Sequence, residues 1–170
     1  MRLDTAKECL ACDYCGTLHF PDADDDGIAL LGVPSALSCP LCKVSLQEAE
    51  AAGRSLASCE RCRGALIKMD VFTDVIGALR RKTPGVDRPL PFDRRELDRV
   101  LVCPQCGGRM DTHPYAGPGA VVIDSCSECH MIWLDHSELR RLAAAPEPKH
   151  AEEEWCPPPP PLSGFFSGEK

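Results

Sequence analysis

The sequence predicts small metal-stabilised modules: two units built of β-hairpins, each followed by a short α-helix, after an irregular N-terminal segment and before a disordered proline-rich tail. Composition is the first reason for this prediction. The 170 residues include 12 Cys and 16 Pro, whereas aromatic residues contribute only 5%. The apolar residues occur in short pieces, and modules of this size need a metal ion or disulfides to stay folded.

Cysteine spacing is the second reason. Cys103-x2-Cys106 is followed, after nineteen residues, by Cys126-x2-Cys129. This pattern is typical of a zinc site, because two tight Cys-x2-Cys turns can present four sulfurs to one tetrahedral ion. The β-branched run at 120–125 predicts a strand that leads into the second pair. The segment is therefore predicted to be a zinc ribbon whose β-hairpin knuckles hold zinc.

The same segment resembles a known family. Its motifs CPQCGGRM, IDSCSEC and IWLDHSEL, within residues 103–139, are similar to the zinc-ribbon family named after the zinc-binding region of transcription factor IIB. The resemblance implies three strands around zinc followed by a short helix. It implies no particular activity, although the family name suggests a role related to transcription.

An earlier segment repeats the design. Cys39-x2-Cys42 is followed after sixteen residues by Cys59-x2-Cys62, which predicts a second four-cysteine zinc site. Residues 62–72 align without a gap on residues 129–139, which indicates an internal repeat. The earlier copy departs from the family pattern at residues 66–68, which replace the Trp-Leu-Asp triplet, and at Lys43, where the family has Gly.

A short amphipathic helix is predicted after each ribbon. In the first, apolar residues recur at helical spacing, Asp70 is the predicted N-cap, and basic residues lie at the C-terminal end. In the second, Asp135 and Glu138 form the D-x-x-E pattern of a capping box, and Pro146 ends the helix. The predicted buried stripes are Phe72, Val75, Ile76 and Leu79 in the first helix and Leu139, Leu142 and Ala143 in the second.

The N-terminal cysteines allow a third metal site or none. Three thiols and one imidazole are dense enough in sequence to bind zinc, but their spacing strains a tetrahedron, so an unligated group is the alternative. The acidic stretch at 22–27 matches the first half of a calcium-binding EF-hand loop. Its twelfth position is Val33 rather than a bidentate Glu, so the stretch is predicted to be a solvated turn. The residues of the third zinc site would be Cys9, Cys12, Cys15 and His19.

The segment between the ribbons is basic in an acidic chain. It could bind an anionic partner such as a nucleic acid, although a solvated charged connector is the simpler interpretation. Two four-thiolate zinc sites would take the formal net charge from −7 to about −11, which disfavours non-specific phosphate binding. The basic residues in question are Arg80, Arg81, Lys82, Arg94 and Arg95.

The chain ends predict a cytoplasmic protein that does not bind membranes. The N-terminus has no apolar signal segment, and no apolar run is long enough to span a bilayer. Cysteines in a reducing compartment are metal ligands more often than disulfides. The tail contains five consecutive prolines beside Trp155 and Cys156, which favours an extended, disordered segment. The predicted divisions are residues 1–34, 35–82, 83–98, 99–146 and 147–170.

These features favour a non-enzymatic protein-interaction adaptor. A site of four thiolates has no open position for water or substrate, and the sequence has no hydrolase, phosphate-loop or metalloprotease motif. His113, His130 and His136 lie near the second ribbon and are predicted to be exposed neighbours rather than ligands. Trp133 is predicted to cap the ribbon and its helix. The alternatives are a transcription-related or nucleic-acid-binding factor and a zinc-thiolate redox switch.

Overall fold

The structure is a computed structural model that describes residues 2–4, 9–11, 13–15, 18–19, 22–85, 91, 94–115 and 120–145. Cys12, on which the predicted third zinc site depends, and the tail with Trp155 and Cys156 lie outside these residues. The N-terminal segment, predicted to be irregular, contains a three-stranded antiparallel sheet of β1 (Arg2–Asp4), β2 (Cys9–Ala11) and β3 (Leu18–His19). No helix in the described part of the chain is long and apolar enough to cross a membrane.

The main body is a seven-stranded antiparallel sheet in the order β4-β5-β6-β7-β10-β9-β8. Strands β4 to β7 belong to the first ribbon and β8 to β10 to the second. The helices α1 and α2 follow the two ribbons, and a 3-10 helix lies between them. The bounds are β4 Ile28–Ser38, β5 Ser45–Ala51, β6 Arg54–Ser58, β7 Ala65–Lys68, α1 Met69–Arg80, the 3-10 helix Arg94–Asp98, β8 Asp111–Pro114, β9 Val122–Cys126, β10 Met131–Leu134 and α2 Glu138–Ala144.

The two ribbons are fused through the last strand of each. Strand β7 pairs antiparallel with β10, so the hydrogen-bonded ladder continues from one ribbon into the other. Leu66 lies opposite Trp133 in this register. These two residues are also equivalent in the internal repeat, so a local twofold axis passes between them. The chain thus has the arrangement of a symmetric ribbon dimer within a single polypeptide.

Alternation along β7 and β10 divides the core between the two faces of the sheet. Ile67 and Ile132 point to one face, where they pack with both helices. Leu66 and Trp133 point to the other face, where they pack with cysteines of both ribbons. Because side chains alternate with a period of two in a strand, three successive apolar residues in β7 and four in β10 supply both cores.

The apolar stripes of both helices are confirmed, but their predicted N-caps are only partly correct. Phe72, Val75, Ile76 and Leu79 are buried in α1, and Leu139, Leu142 and Ala143 are buried in α2. The N-cap of α1 is Lys68, which makes no side-chain cap hydrogen bond, so the prediction of Asp70 was wrong. In α2 the Glu138 carboxylate accepts the Asp135 N–H at 2.7 Å, which is half of the predicted capping box.

Asp26 supplies the missing cap of α2 from a distant part of the sequence. Its carboxylate accepts the N–H of Ser137 at 2.7 Å and that of Arg140 at 3.1 Å, and it lies 3.2 Å from Nδ1 of His136. Asp26 is only 3% exposed, so the prediction that the whole acidic stretch is solvated was wrong at this position. The side chain of Asp24 shapes the turn by accepting two backbone N–H groups. The loop before β4 therefore fastens the second ribbon's helix to the first ribbon.

We expect Asp26→Ala to destabilise the zinc-loaded protein by about 1–2 kcal/mol, because loss of the carboxylate leaves N–H groups at a helix start without a partner. Chemical denaturation followed by circular dichroism measures the change. Asp25→Ala is the matched control, since the Asp25 side chain is 72% exposed and reaches only Arg140 at 3.8 Å. Equal effects of the two substitutions would contradict the assigned role.

The second ribbon starts with an irregular segment. The 3-10 helix Arg94–Asp98 precedes it. Residues 100–102 form no strand and make only an isolated bridge between Val102 and Arg109. The backbone N–H of Met110 nevertheless bonds to the Leu101 carbonyl, which closes the hairpin around the knuckle at Cys103.

Candidate metal centres

Eight cysteines form two quartets, in the grouping that their spacing predicts. In each quartet the four sulfurs lie within 4.8 Å of one another. Across the knuckles, Cys39 Sγ lies 3.6 Å from Cys62 Sγ, and Cys106 Sγ lies 3.7 Å from Cys126 Sγ. Zinc–sulfur bonds of about 2.3 Å in a tetrahedron place sulfurs about 3.8 Å apart. The quartets, which fit two structural zinc ions, are Cys39, Cys42, Cys59 and Cys62, and Cys103, Cys106, Cys126 and Cys129.

The same backbone turn forms each knuckle. The residue after the second cysteine has a positive φ in all four, at Lys43 (60°), Arg63 (58°), Gly107 (75°) and His130 (52°). In three knuckles this residue donates its N–H to the carbonyl of the first cysteine, as Lys43 does to Cys39 at 3.0 Å. Only one of the four positions is Gly, so ordinary residues are held in a left-handed conformation at the other three. This strain is compatible with a turn that metal ligation holds in place.

The two cysteines of each knuckle differ in solvent exposure. The first cysteine of each pair is nearly inaccessible, as Cys39 is at 0% and Cys103 at 1% exposure, whereas the second is intermediate or exposed. Burial raises the pKa of the Cys39 and Cys103 thiols, whereas the backbone N–H of Gly108 lowers the pKa of Cys106. Four thiolates at such separations repel one another, so a divalent cation must supply the compensating charge. A zinc ion bound there would be closed off by sulfur and would serve folding.

Trp133 packs between the two metal centres. It is fully buried with Leu66, Met110 and the inner cysteines, on the face opposite the helices, so the prediction that it caps the ribbon is confirmed and the contact with the helix is not. Its indole Nε1 donates to Asp135 Oδ1 at 3.0 Å. A Cβ atom placed on Gly64 would lie 2.2 Å from the indole, so the first ribbon's backbone touches the second ribbon's tryptophan.

The other predicted site residues lie outside the quartets. His113 bonds with Ser125 at 3.0 Å and His136 pairs with Asp26, while His130 provides a knuckle turn, so none of these three lies in a cysteine quartet. In the basic stretch, Arg80 donates to the Leu142 carbonyl at 3.1 Å and Arg81 to the Gly77 carbonyl at 3.0 Å. Both guanidinium groups therefore already donate hydrogen bonds to backbone carbonyls of α1 or α2.

A buried polar cluster beside Trp133 was missed by sequence reasoning. Arg99 bridges the carboxylates of Asp124, which is fully buried, and Asp135. Glu138 is 2% exposed next to them. Burial raises the pKa of Glu138 to about 8, and repulsion by Asp135 and Glu96 adds to the effect while Arg99 opposes it. Only the tertiary fold brings these groups together, because they come from three separate stretches of sequence, at 96–99, 124 and 135–138.

The raised pKa of Glu138 predicts a stability that depends on pH. The unfolded carboxyl ionises near pH 4.5, whereas the folded one stays protonated until about pH 8. Stability relative to Glu138→Gln should therefore be greatest below pH 4.5 and fall as pH rises towards 8, since each pKa unit corresponds to about 1.4 kcal/mol.

Denaturation of zinc-loaded wild type and Glu138→Gln in calcium-free and magnesium-free buffer measures the difference. The comparison runs from about pH 6 to 8.5, because at lower pH zinc leaves thiolate sites and the ribbons then unfold. A pH-independent difference would contradict the assigned pKa.

Comparison with known proteins gives one match. No curated protein and no solved structure matches the chain. The match to a family model spans about a quarter of the sequence and contains Cys103, Cys106, Cys126, Cys129 and the helix α2. Residues 102–145 match the model described as "Transcription factor zinc-finger", the TFIIB-type zinc ribbon, which is the family that the motifs of this segment resemble.

Proposed function

We propose that this protein is a non-enzymatic adaptor, in which two fused zinc ribbons present a rigid surface to a partner protein. The observation that supports this most strongly is a groove beside the paired strands β7 and β10, bordered by the knuckles of the second ribbon. Two clefts meet there and share Lys68 and Gln105. One has a volume of about 510 Å³ and reaches Met69 and His130. The other has a volume of about 210 Å³ and reaches Leu37 and Met131.

The character of this knuckle groove suits a protein segment better than a small substrate. Met69 is 40% exposed in the first cleft, and Leu37 is half-buried in the second. Lys68, Glu48 and Gln105 add charged and polar groups along the same groove. Adaptable apolar side chains bordered by polar ones are typical of protein interfaces. Each zinc site, closed by four thiolates, would fix the groove's shape without taking part in chemistry.

Site-specific photo-crosslinking tests the proposal. A photoreactive residue at Met69, in the zinc-loaded full chain, should crosslink to a discrete partner in extract from the native host. The matched control places the same residue at Thr73, which is exposed on α1 away from the groove. Met69→Glu should abolish copurification of that partner. Identical crosslinks from the two positions, or none from Met69, would refute the adaptor role of this groove.

A transcription-related or nucleic-acid-binding role is the second candidate, which the family match to residues 102–145 favours. Arg94 and Arg95 are exposed on the 3-10 helix beside the second ribbon. If they contact phosphate, replacing both by Gln should weaken binding and reduce its salt dependence by about one unit of slope per contact. Arg54→Gln, in an exposed ion pair with Asp74, is the control.

A further inference from the structure

Three carboxylates near Trp133, one buried and two half-buried, lie close together. Glu96 comes from the 3-10 helix, Asp135 from the end of β10, and Glu138 from the first turn of α2. One oxygen from each lies within 4.8 Å of the other two. We propose that Glu96, Asp135 and Glu138 form a binding site for a hard divalent cation of calcium's size, separate from both cysteine quartets.

The state of Glu138 provides an independent reason. Glu138 is only 2% exposed. Oε2 accepts the Asp135 N–H, but no group in the described part of the chain donates to Oε1. A buried carboxylate oxygen without a donor is costly, and two further carboxylates lie close to that of Glu138, so the group calls for a proton or a cation.

The internal repeat shows that the fold does not require these acids. In the first ribbon, Lys68 occupies the position equivalent to Asp135, and Val71 occupies that of Glu138. Helix α1 begins there all the same, without any side-chain cap. A ribbon followed by a helix can therefore form without this pair of carboxylates.

Ligand chemistry selects the class of ion. Three carboxylate oxygens without sulfur or nitrogen favour a hard cation over zinc or copper. Calcium takes six to eight oxygen ligands at 2.3–2.6 Å in a flexible geometry, whereas magnesium demands a near-ideal octahedron at 2.0–2.1 Å. Three carboxylates that come from different elements, with one oxygen of each within 4.8 Å of the other two, suit the more tolerant ion. Three protein ligands leave several positions to water, so we expect a dissociation constant of about 0.1–1 mM.

Arg99 does not remove the need for a cation. Its guanidinium is directed at Asp124 and Asp135 and bridges the two. The repulsion that Glu138 experiences from Asp135 and Glu96 exceeds the attraction from Arg99. Because burial raises the pKa of Glu138 to about 8, protons compete for the same oxygen, so cation binding should strengthen with rising pH.

Trp133 provides a local probe, because its indole donates to Asp135 Oδ1. In the zinc-loaded full chain carrying Trp155→Phe, calcium should change the remaining tryptophan fluorescence in a saturable way. Terbium(III), a hard ion of similar size, should give luminescence sensitised by Trp133. Glu138→Gln should weaken both responses by about tenfold or more while zinc content stays at the parent value. Asp24→Asn with Asp25→Asn, in the acidic turn before β4, removes two charges but keeps the oxygen of Asp24 that accepts backbone N–H groups, and should leave both responses unchanged.

The possible outcomes distinguish a calcium ion bound by Glu138 from a proton bound by the same carboxylate. A calcium response that strengthens about tenfold between about pH 6.5 and 8.5 and disappears in Glu138→Gln supports the site. If the parent and Glu138→Gln titrate alike, or the parent shows no response up to about 10 mM calcium, the site is refuted and a shared proton satisfies Glu138. If the response disappears only when Asp24 and Asp25 are replaced, the ion binds the acidic turn and the proposal is also refuted.

Discussion

Loss of zinc from either ribbon is expected to unfold both. Zinc binding to a small four-cysteine site is worth about 10–16 kcal/mol, which equals or exceeds the net stability of about 5–15 kcal/mol typical of a whole domain. The ladder between β7 and β10 and the shared cores on both faces of the sheet couple the two metal centres. A defect at one site should therefore spread through the sheet to the other.

Cys103→Ser and Cys39→Ser test this coupling, because each removes one buried ligand from one quartet. Cys103 belongs to the ribbon that precedes α2, and we expect Cys103→Ser to accelerate amide hydrogen exchange in α1 as well as in α2. Cys39 belongs to the ribbon that precedes α1, and we expect Cys39→Ser to accelerate exchange in α2 as well as in α1. Ser127→Ala, at an exposed position within a knuckle, is the control. Normal protection of α1 in Cys103→Ser would show instead that the ribbons fold independently.

The parts of this structure that sequence predicts are those with local signals. Cysteine spacing predicts both quartets, because two short turns must place two sulfurs each at one ion. Helical periodicity predicts the buried face of α1 from Phe72 to Leu79, since amphipathic spacing is a property of the segment itself. The positive φ values at Lys43, Arg63 and His130 show that the knuckle dictates the turn, even where the local residue disfavours it.

The features that escaped prediction join distant parts of the chain. Strands β7 and β10 are short and mainly apolar, and neither sequence indicates which other strand it will pair with. The same holds for Asp26, which caps α2 by binding the N–H of Ser137, 111 residues later in the sequence. The cluster around Arg99 likewise follows from tertiary packing. The predicted third site at Cys9, Cys12, Cys15 and His19 remains a prediction, which zinc stoichiometry would test.

The contact between Gly64 and Trp133 should account for much of the coupling between the ribbons. Trp133→Ala should cost about 3–5 kcal/mol, as expected for truncating a large buried aromatic side chain. Gly64→Ala should cost about 2 kcal/mol or more, because the added methyl would lie 2.2 Å from Cζ2 and 2.8 Å from Cη2 of an indole that the Asp135 hydrogen bond holds in place.

A double-mutant cycle isolates this contact. With Trp133→Ala already present, Gly64→Ala should have almost no effect on stability, because the ring that its methyl group would meet is gone. We expect a coupling energy of about 1–3 kcal/mol. Denaturation of the zinc-loaded protein measures it. Gly77→Ala is the matched control, since nothing lies within 4 Å of its added methyl and Ala favours a helix interior by about 1 kcal/mol. Additive costs for Gly64→Ala and Trp133→Ala would mean that this contact does not couple the ribbons, which would then be joined by the β7–β10 ladder and the helix-side core. Coupling in the expected range would show that the tryptophan of the second ribbon packs directly on the backbone of the first.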